Sequence, residues 1–448
     1  MCIPCEIAIT PAHPTNGEKR MKCICQRLII PQNQKRRLPL LLTLFVAGQL
    51  FLALNTSFAA NDQSTMTHLL SQYLPTSAAA ALTDSLMRVD SRLVDAEALT
   101  ASAQTNIWLA ATGDLMFHSP QVKAAYQNDT DTYSFQKSFE RVAPYLRAAD
   151  YTLGNFETTT AGRDRGFSGY PAFNAPDETL DAIQWAGYDF LTTANNHCLD
   201  RGIFGIERTI EQMRLRGIAQ SGTFMQDETA APRYYTTTVE GIKLAIFAVT
   251  YGCNGLEQTV SESTLHQAVN LIDETEMAQT LQAIETSDVD QTIVFIHWGS
   301  EYRLTPTDDQ VALAQKLIDW GADIILGSHP HVIERSEIIY HEGQPKYVIY
   351  SMGNFISNQS RQTLGSIANA KYTENGVMVY LKLTKSETGT ALTAVRHIPT
   401  WVSRASDLKY VILPIEKQAS YLETPAIHSL TADAYEATMS MMTPDADF

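Results

Sequence analysis

Cysteine is scarce in the body of this chain. Four of the six, Cys2, Cys5, Cys23 and Cys25, precede residue 26, and only Cys198 and Cys253 follow. A disulfide framework therefore does not hold the fold, which must rest on an apolar core. Whether Cys198 and Cys253 pair is left open by the sequence. The leading cysteines have two and one residues between them and no His partner pattern, so they do not make a metal motif. Net positive charge is also lacking. The formal charge is −16, and residues 1–60 hold seven basic against two acidic residues, so the remainder carries −21. Such a surface excludes nucleic acid as the expected partner. It also repels a polyanion unless cations or a basic loop offset it. No Gly-x-Ser-x-Gly elbow, Walker loop or Gly-x-Gly-x-x-Gly after a strand is present, which leaves serine hydrolases and nucleotide-binding folds without support. Internal repeats and low-complexity blocks are missing as well.

One long apolar run stands out. Lys35, Arg36 and Arg37 precede an uncharged stretch over 38–54, and Ser57, Ala59 and Ala60 follow it. Basic region, apolar segment and small-residue site read as a secretory signal within residues 1–60. The alternative is an uncleaved anchor, although the run is at the short edge of a membrane span. The protein is thus expected to be exported, periplasmic or extracellular, or membrane-anchored. No cysteine stands directly after the run, so no lipid-modified terminus is expected. The 34 residues ahead of Lys35 are long for a signal, which makes Met21 a candidate start. Residues 61–104 read as a helical lead-in.

From Ile107 strands and helices alternate, as in an α/β domain. Strands are predicted over 107–112, 151–155, 189–194, 291–296 and 323–327, with helices over 135–149, 177–186, 204–216, 272–286 and 307–320. Thr307-Asp308-Asp309-Gln310 is a capping-box pattern. A hairpin is predicted around Glu240-Gly241, from strands 233–239 and 242–250. Strands 346–351, 376–384 and 391–398 have shorter connections and suggest an antiparallel edge or second sheet. Residues 401–448 read as a tail.

Polar clusters stand at the ends of five strands: Gly113-Asp114, Asn155-Phe156-Glu157, Asn195-Asn196-His197, His297-Trp298-Gly299 and His329-Pro330-His331. In open α/β sheets, side chains at those ends gather in one crevice. Singly, each cluster has a plain explanation, such as an Asp capping a turn or a half-buried His bonded to backbone. Jointly, two acids, an amide and four imidazoles suit one or two divalent cations and metal-assisted hydrolysis. Arg163 and Arg165, in a glycine-bearing loop after Glu157, are either solvated or an anion-binding lid. Cys198 reads as structural.

GDLM, NFE, ANNHCLDRG, HWGSEY, GSHPHVIE and YSMGNF occur in an order that resembles the CapA family of capsule and poly-γ-glutamate synthesis proteins, related to calcineurin-like metallophosphoesterases. The resemblance covers about residues 105–400. It implies a four-layer α/β/β/α sandwich of the metallophosphoesterase type with a metal site at one edge. By that resemblance Asp114 and His331 hold a first metal, Glu157 bridges, Asn196, His297 and His329 hold a second, and His197 donates a proton. The catalytic set is then His197, Asn196 and Asp114. One departure matters: Met116 stands where phosphoesterases have the His of Asp-x-His, and a thioether is a poor ligand for such ions. The first site would then be weak or empty, or completed by water.

The resulting expectation is an exported hydrolase or transferase using Mn, Fe or Zn, acting on an anionic cell-surface polymer or its precursor, with membrane capsule-synthesis proteins as possible partners. Asn195 and Asp200 would orient the ligands. Arg163, Arg165, Glu301 and Asn354 would contact substrate, with Glu301 also orienting ligands and Asn354 sharing a wall with Tyr350 and Phe355. The alternative is a non-catalytic subunit of a capsule-export complex that binds metal or polymer in the same crevice.

Overall fold

Two β-sheets face each other across an apolar layer, and helices cover both outer faces. The computed structural model describes residues 104–228, 231–404, 409–415 and 425–448. The expected signal or anchor over 1–60 and the lead-in up to residue 103 lie outside them. The described residues belong to one unit, Ser102–Phe448. Among them no helix is long and apolar enough to cross a membrane.

In chain order the strands are β1 (Thr105–Leu115), β2 (Tyr126–Gln127), β3 (Thr132–Tyr133), β4 (Tyr151–Phe156), β5 (Phe190–Thr192) and β6 (Ala219–Ser221). Next come β7 (Tyr235–Val239), β8 (Ile242–Thr250), β9 (Gln291–His297), β10 (Ile324–Ser328), β11 (Ile333–His341) and β12 (Gln344–Met352). Last are β13 (Asn354–Ile356), β14 (Asn375–Ser386), β15 (Gly389–Val402), β16 (Ile412–Pro414) and β17 (Ala446–Asp447). One sheet runs β16-β15-β14-β1-β4-β5-β6, with β13 on β1 and β17 on β15; the other runs β11-β12-β10-β9-β8-β7. β2 and β3 form a small separate ribbon.

Residue alternation assigns the layers. Ile107, Leu109 and Ala111 of β1 meet Leu244, Ile246, Ile293, Phe295, Ile324 and Leu326 between the sheets. The intervening Ala245, Phe247, Val294, Ile296 and Ile325 face outward, onto helices Glu274–Glu285 and Asp308–Asp319. Strands buried on both faces read as unbroken apolar runs, which is why they were visible in the sequence. On the other side Leu115 and Phe156 pack with helix Glu178–Ala186. The result is a four-layer α/β/β/α sandwich.

Several elements differ from expectation. The helix predicted over 135–149 is two single turns, Gln136–Phe139 and Ala143–Leu146, with Pro144 opening the second. Proline lacks the N–H that a continuous helix needs. β11 was not anticipated; it pairs antiparallel with β12 after the His329-Pro330-His331 turn. The segment read as a tail gives β16 and β17 to the large sheet, with helix Pro425–Met439 between them in chain order. Thr307 and Gln310 form the predicted capping box.

That box leads to an unusual buried acid. Gln310 Nε2 donates to Glu334 Oε2 at 2.8 Å, while Glu334 Oε1 has no partner. Burial raises the Glu334 pKa to about 7, against the pull of Gln310 and of Arg303 and Arg335. The folded state therefore keeps a proton that the unfolded state loses near its ordinary value of 4.5. Stability falls as pH rises through that window and stays lower above it, by about 3 kcal/mol. Glu334→Gln keeps the acceptor oxygen and carries no charge. Thermal midpoints from pH 5 to 8 should fall less steeply for the variant, and at pH 8 it should be the more stable protein. Parallel profiles would show that Glu334 does not titrate there.

Candidate metal centre

β1 and β4 carry the acids. Their parallel pairing shifts register between Thr112 and Asp114, so the chain bulges at Gly113, and bulges re-aim the side chains beside them. A Cβ at Gly113 would stand 1.9 Å from the Gly353 carbonyl oxygen. Only glycine permits that approach, which lets Asp114 N–H donate to Gly353 O at 3.0 Å. Asp114 Oδ1 accepts from Asn155 Nδ2 at 2.8 Å, and Oδ2 lies 3.0 Å from His331 Nδ1. Asp114, Glu157 and His297 are all buried, and one ligand atom from each lies within 4.8 Å of the others.

β9 and β10 bring the imidazoles. His297 and Ser328 are register partners, with His297 Nδ1 2.9 Å from Ser328 Oγ. His297 Nε2 lies 3.0 Å from Asn196 Oδ1 and 3.6 Å from Glu157 Oε1. In the tautomer whose Nδ1–H donates to Ser328, the Nε2 lone pair converges with those two oxygens. His329 and His331 follow with φ of +101° and +57°. Such values are costly for side chains with a Cβ and cluster at functional sites. They turn both rings inward: the His329 ring is 4.9 Å from that of His297, and His331 Nε2 is 3.8 Å from Glu157 Oε1.

The turn after β5 presents the amide and the fourth His. Asn195 Oδ1 accepts from His197 N–H, and Asn195 Nδ2 donates to Phe156 O, tying this turn to β4. Asn196 Nδ2 donates to Asn254 Oδ1 at 3.2 Å. His197 Nδ1 is 2.8 Å from Asp200 Oδ2, which also accepts from Phe173 N–H.

The electrostatics fit a cation. Both Glu157 oxygens are buried without a hydrogen-bond partner, as is His329 Nδ1. Burial, then Asp114 and Glu301, push the Glu157 carboxyl well above its ordinary range. Burial and the neighbouring imidazoles lower His297 well below its usual value and His329 to about 3. His297 and His329 are thus neutral, the form that ligates metals. A buried carboxylate aimed at the neutral imidazole of His297 gains no counter-charge from it, and a divalent cation supplies one.

Other predicted residues are placed differently. Asn354, the register partner of Asp114, donates to His331 O, Gln359 Oε1 and Thr373 O, so it braces the turn. Glu301 is exposed and bears electrostatically on Glu157. Arg163 is engaged by Asp131 at 3.1 Å, and Arg165 lies over the Phe204 ring at 3.9 Å. Tyr350 does not line the crevice: it packs in the outer layer with Trp298, and its hydroxyl donates to Glu337. Phe355 is likewise in the opposite outer layer, near Tyr188. Met116 is buried, and its sulfur receives the Ser357 hydroxyl at 3.8 Å.

Three residues were not anticipated. The Tyr251 ring stacks on His297 and lies 4.6 Å from the His329 ring, walling one side. His118, two residues past Met116, sets its ring against Phe173 at 5.0 Å, and Phe173 in turn meets His197 at 4.6 Å. A strand-end His so close to Asp114 was a usable signal. Asn254 gave none, since it meets the centre through hydrogen bonds from Asn196 and Tyr251.

Fold and centre together define a class: α/β/β/α proteins with a candidate metal centre where the strand ends of two facing sheets meet. The family model described as bacterial capsule synthesis protein PGA_cap matches residues 108–359, and the chain belongs to that family. It is 28% identical over 263 residues to the capsule biosynthesis protein CapA of Bacillus anthracis, covering 56% of this chain and 60% of that protein. It is also 28% identical over 249 residues to the PGA biosynthesis protein CapA of Bacillus subtilis, covering 55% and 62%. The match thus spans about three fifths of these relatives. A probable polyglutamine synthesis accessory protein of Mycobacterium tuberculosis is 26% identical, covering 57% and 67%. The calcineurin-like phosphoesterase YfkN of B. subtilis superposes with a TM-score of 0.38 at 14% identity, covering 75% of this chain and 99% of that one, a likeness too distant to bear on the site.

Proposed function

We propose that this chain is an exported hydrolase or transferase, dependent on Mn, Fe or Zn, that acts in the synthesis or release of an anionic capsule-type polymer. The observation that carries the reading is Glu157, a buried carboxylate whose two oxygens lack partners among Asp114, Asn196 and His297. Asp114 and His331 would hold one ion, Asn196, His297 and His329 another, with Glu157 shared. A divalent ion there supplies Lewis-acid charge to a phosphoryl or carbonyl oxygen. The rest falls to the chain. Asp200 holds His197 through Nδ1, which leaves Nε2 to pass a proton to the leaving group. Asn195 fixes the turn that carries both Asn196 and His197. Tyr251 packs on His297 and His329, and Phe173 packs on His197. The polymer and capsule-synthesis partners are supported by the names of the relatives, and export by the basic, apolar and small-residue order over 35–60.

A second reading, a non-catalytic metal- or polymer-binding accessory subunit, is favoured by Met116, whose sulfur is taken up in packing with Ser357 rather than offered as a ligand. One experiment separates them. The full-length protein is purified, its metal measured, and a generic phosphodiester and a γ-glutamyl peptide are assayed with and without chelator. Metal-dependent turnover of either supports the enzyme. Full metal occupancy with no turnover supports the binder, and no bound metal removes the enzyme and leaves only a subunit that binds polymer.

A further inference from the structure

Cys198 and Cys253 are the free cysteines among the described residues, and nothing in the reading above uses them. They stand 55 positions apart in sequence, yet both are buried with their sulfurs 3.7 Å apart. Each lies on a loop of the candidate centre. Cys198 follows His197, and its N–H donates to Asn195 O. Cys253 precedes Asn254, the acceptor for Asn196 Nδ2. Around them is a small apolar cluster of Leu199, Ile206, Ile210, Leu265 and Val269, separate from the inter-sheet core. Here the two loops are joined by that packing and by the hydrogen bonds of Asn196 with Asn254 and Tyr251. Two thiols that meet sulfur to sulfur across such a junction need only a small loop shift to reach bonding distance, about 2.05 Å.

We propose that Cys198 and Cys253 are an oxidation site whose product, one intrachain disulfide, staples the loop of Asn196 and His197 to the loop of Tyr251 and Asn254. The reaction is thiol–disulfide exchange with a small disulfide such as oxidised glutathione, as found in oxidising compartments. One protein thiolate attacks a glutathione sulfur and expels the first glutathione thiolate, giving a mixed disulfide. The second protein thiolate attacks the protein sulfur of that bond and expels the second. Two electrons pass from the cysteines to glutathione, and the two protons they lose end on the released thiols. Because both sulfurs are buried, exchange proceeds as the chain folds or while these loops are open. The cross-link closes a loop of 55 residues, which disfavours the unfolded chain. This inference does not depend on the metal or on any substrate.

The test uses the full-length protein refolded from denaturant with oxidised glutathione, then denatured, alkylated, digested and weighed. The peptides containing Cys198 and Cys253 should appear linked to each other, lighter by two hydrogens. After dithiothreitol both should take up the alkylating agent. The thermal midpoint of the oxidised protein should exceed that of the reduced protein by about 5 °C, and Cys253→Ser should abolish the difference. Peptides that remain alkylatable, keep glutathione, or are joined to Cys2, Cys5, Cys23 or Cys25 would overturn the site. Equal midpoints despite the bond would overturn the stapling. Peptide mapping of the unsubstituted protein decides the first point even if the serine variant fails to fold.

Discussion

Glu157→Gln should strip the protein of divalent metal while making the metal-free form more stable. Glutamine has the shape of glutamate without its charge. In the metal-free fold Glu157 is fully buried, unpartnered and beside Asp114, so it must either stay charged or take up a proton. Either costs free energy, and the amide avoids both, a gain of about 1–3 kcal/mol. With metal the sign reverses. The carboxylate is the acid within reach of both His297 and His331, and its loss should weaken binding roughly 100-fold. Bound metal per chain and thermal midpoints with and without chelator read both effects. General damage to the fold lowers both midpoints together and cannot produce opposite signs. A variant with unchanged metal content and a lower midpoint in both conditions would remove the centre as drawn. His297→Ala and His331→Ala should also lower metal content tenfold or more, by the same reasoning about lost site groups.

His197→Ala should separate turnover from metal binding. His197 is held by Asp200 on one nitrogen and packed against Phe173, and it lies outside the group formed by Asp114, Glu157 and His297. Loss of a positioned proton donor costs about 10²–10⁴-fold in kcat/KM. Metal content should stay at the level of the unsubstituted protein. Asp200→Asn should cost less, because the imidazole remains and only its orientation and charge balance suffer. The measurement is kcat/KM on whichever substrate the metal-dependent assay reveals, with bound metal determined on the same samples. Full turnover in His197→Ala would assign the proton to another group, with His118 the next to test.

Much of this architecture was legible in the linear chain. The centres of runs such as QTIVFI and DIILGS are unbroken apolar stretches because β9 and β10 are covered on both faces, and polar residues resume where each strand ends. The same property hid which face each residue takes. Tyr350 looked like a crevice residue because it ends an apolar run near Asn354. The pairing of β12 with β10 and β11 turns it outward instead, onto Trp298. For Arg163 and Arg165 the sequence left a solvated loop and a lid both open, and it showed neither the Asp131 nor the Phe204 contact. The break at Pro144 was legible in principle, since proline removes a helix donor, but the apolar spacing around it favoured one continuous helix.

Residue types and their order dictate the chemical inventory and the alternation of strands and helices, since apolar periodicity and turn chemistry act over a few neighbours. Convergence is another matter. Asp114 and His331 are 217 positions apart, and their 3.0 Å approach exists only because β1 and β10 end at the same edge of two packed sheets. Nor could composition reveal that Glu157 lacks a partner or that two thiols meet beside the centre. Desolvation and contact belong to the three-dimensional surroundings of a group, and sheet packing alone creates them.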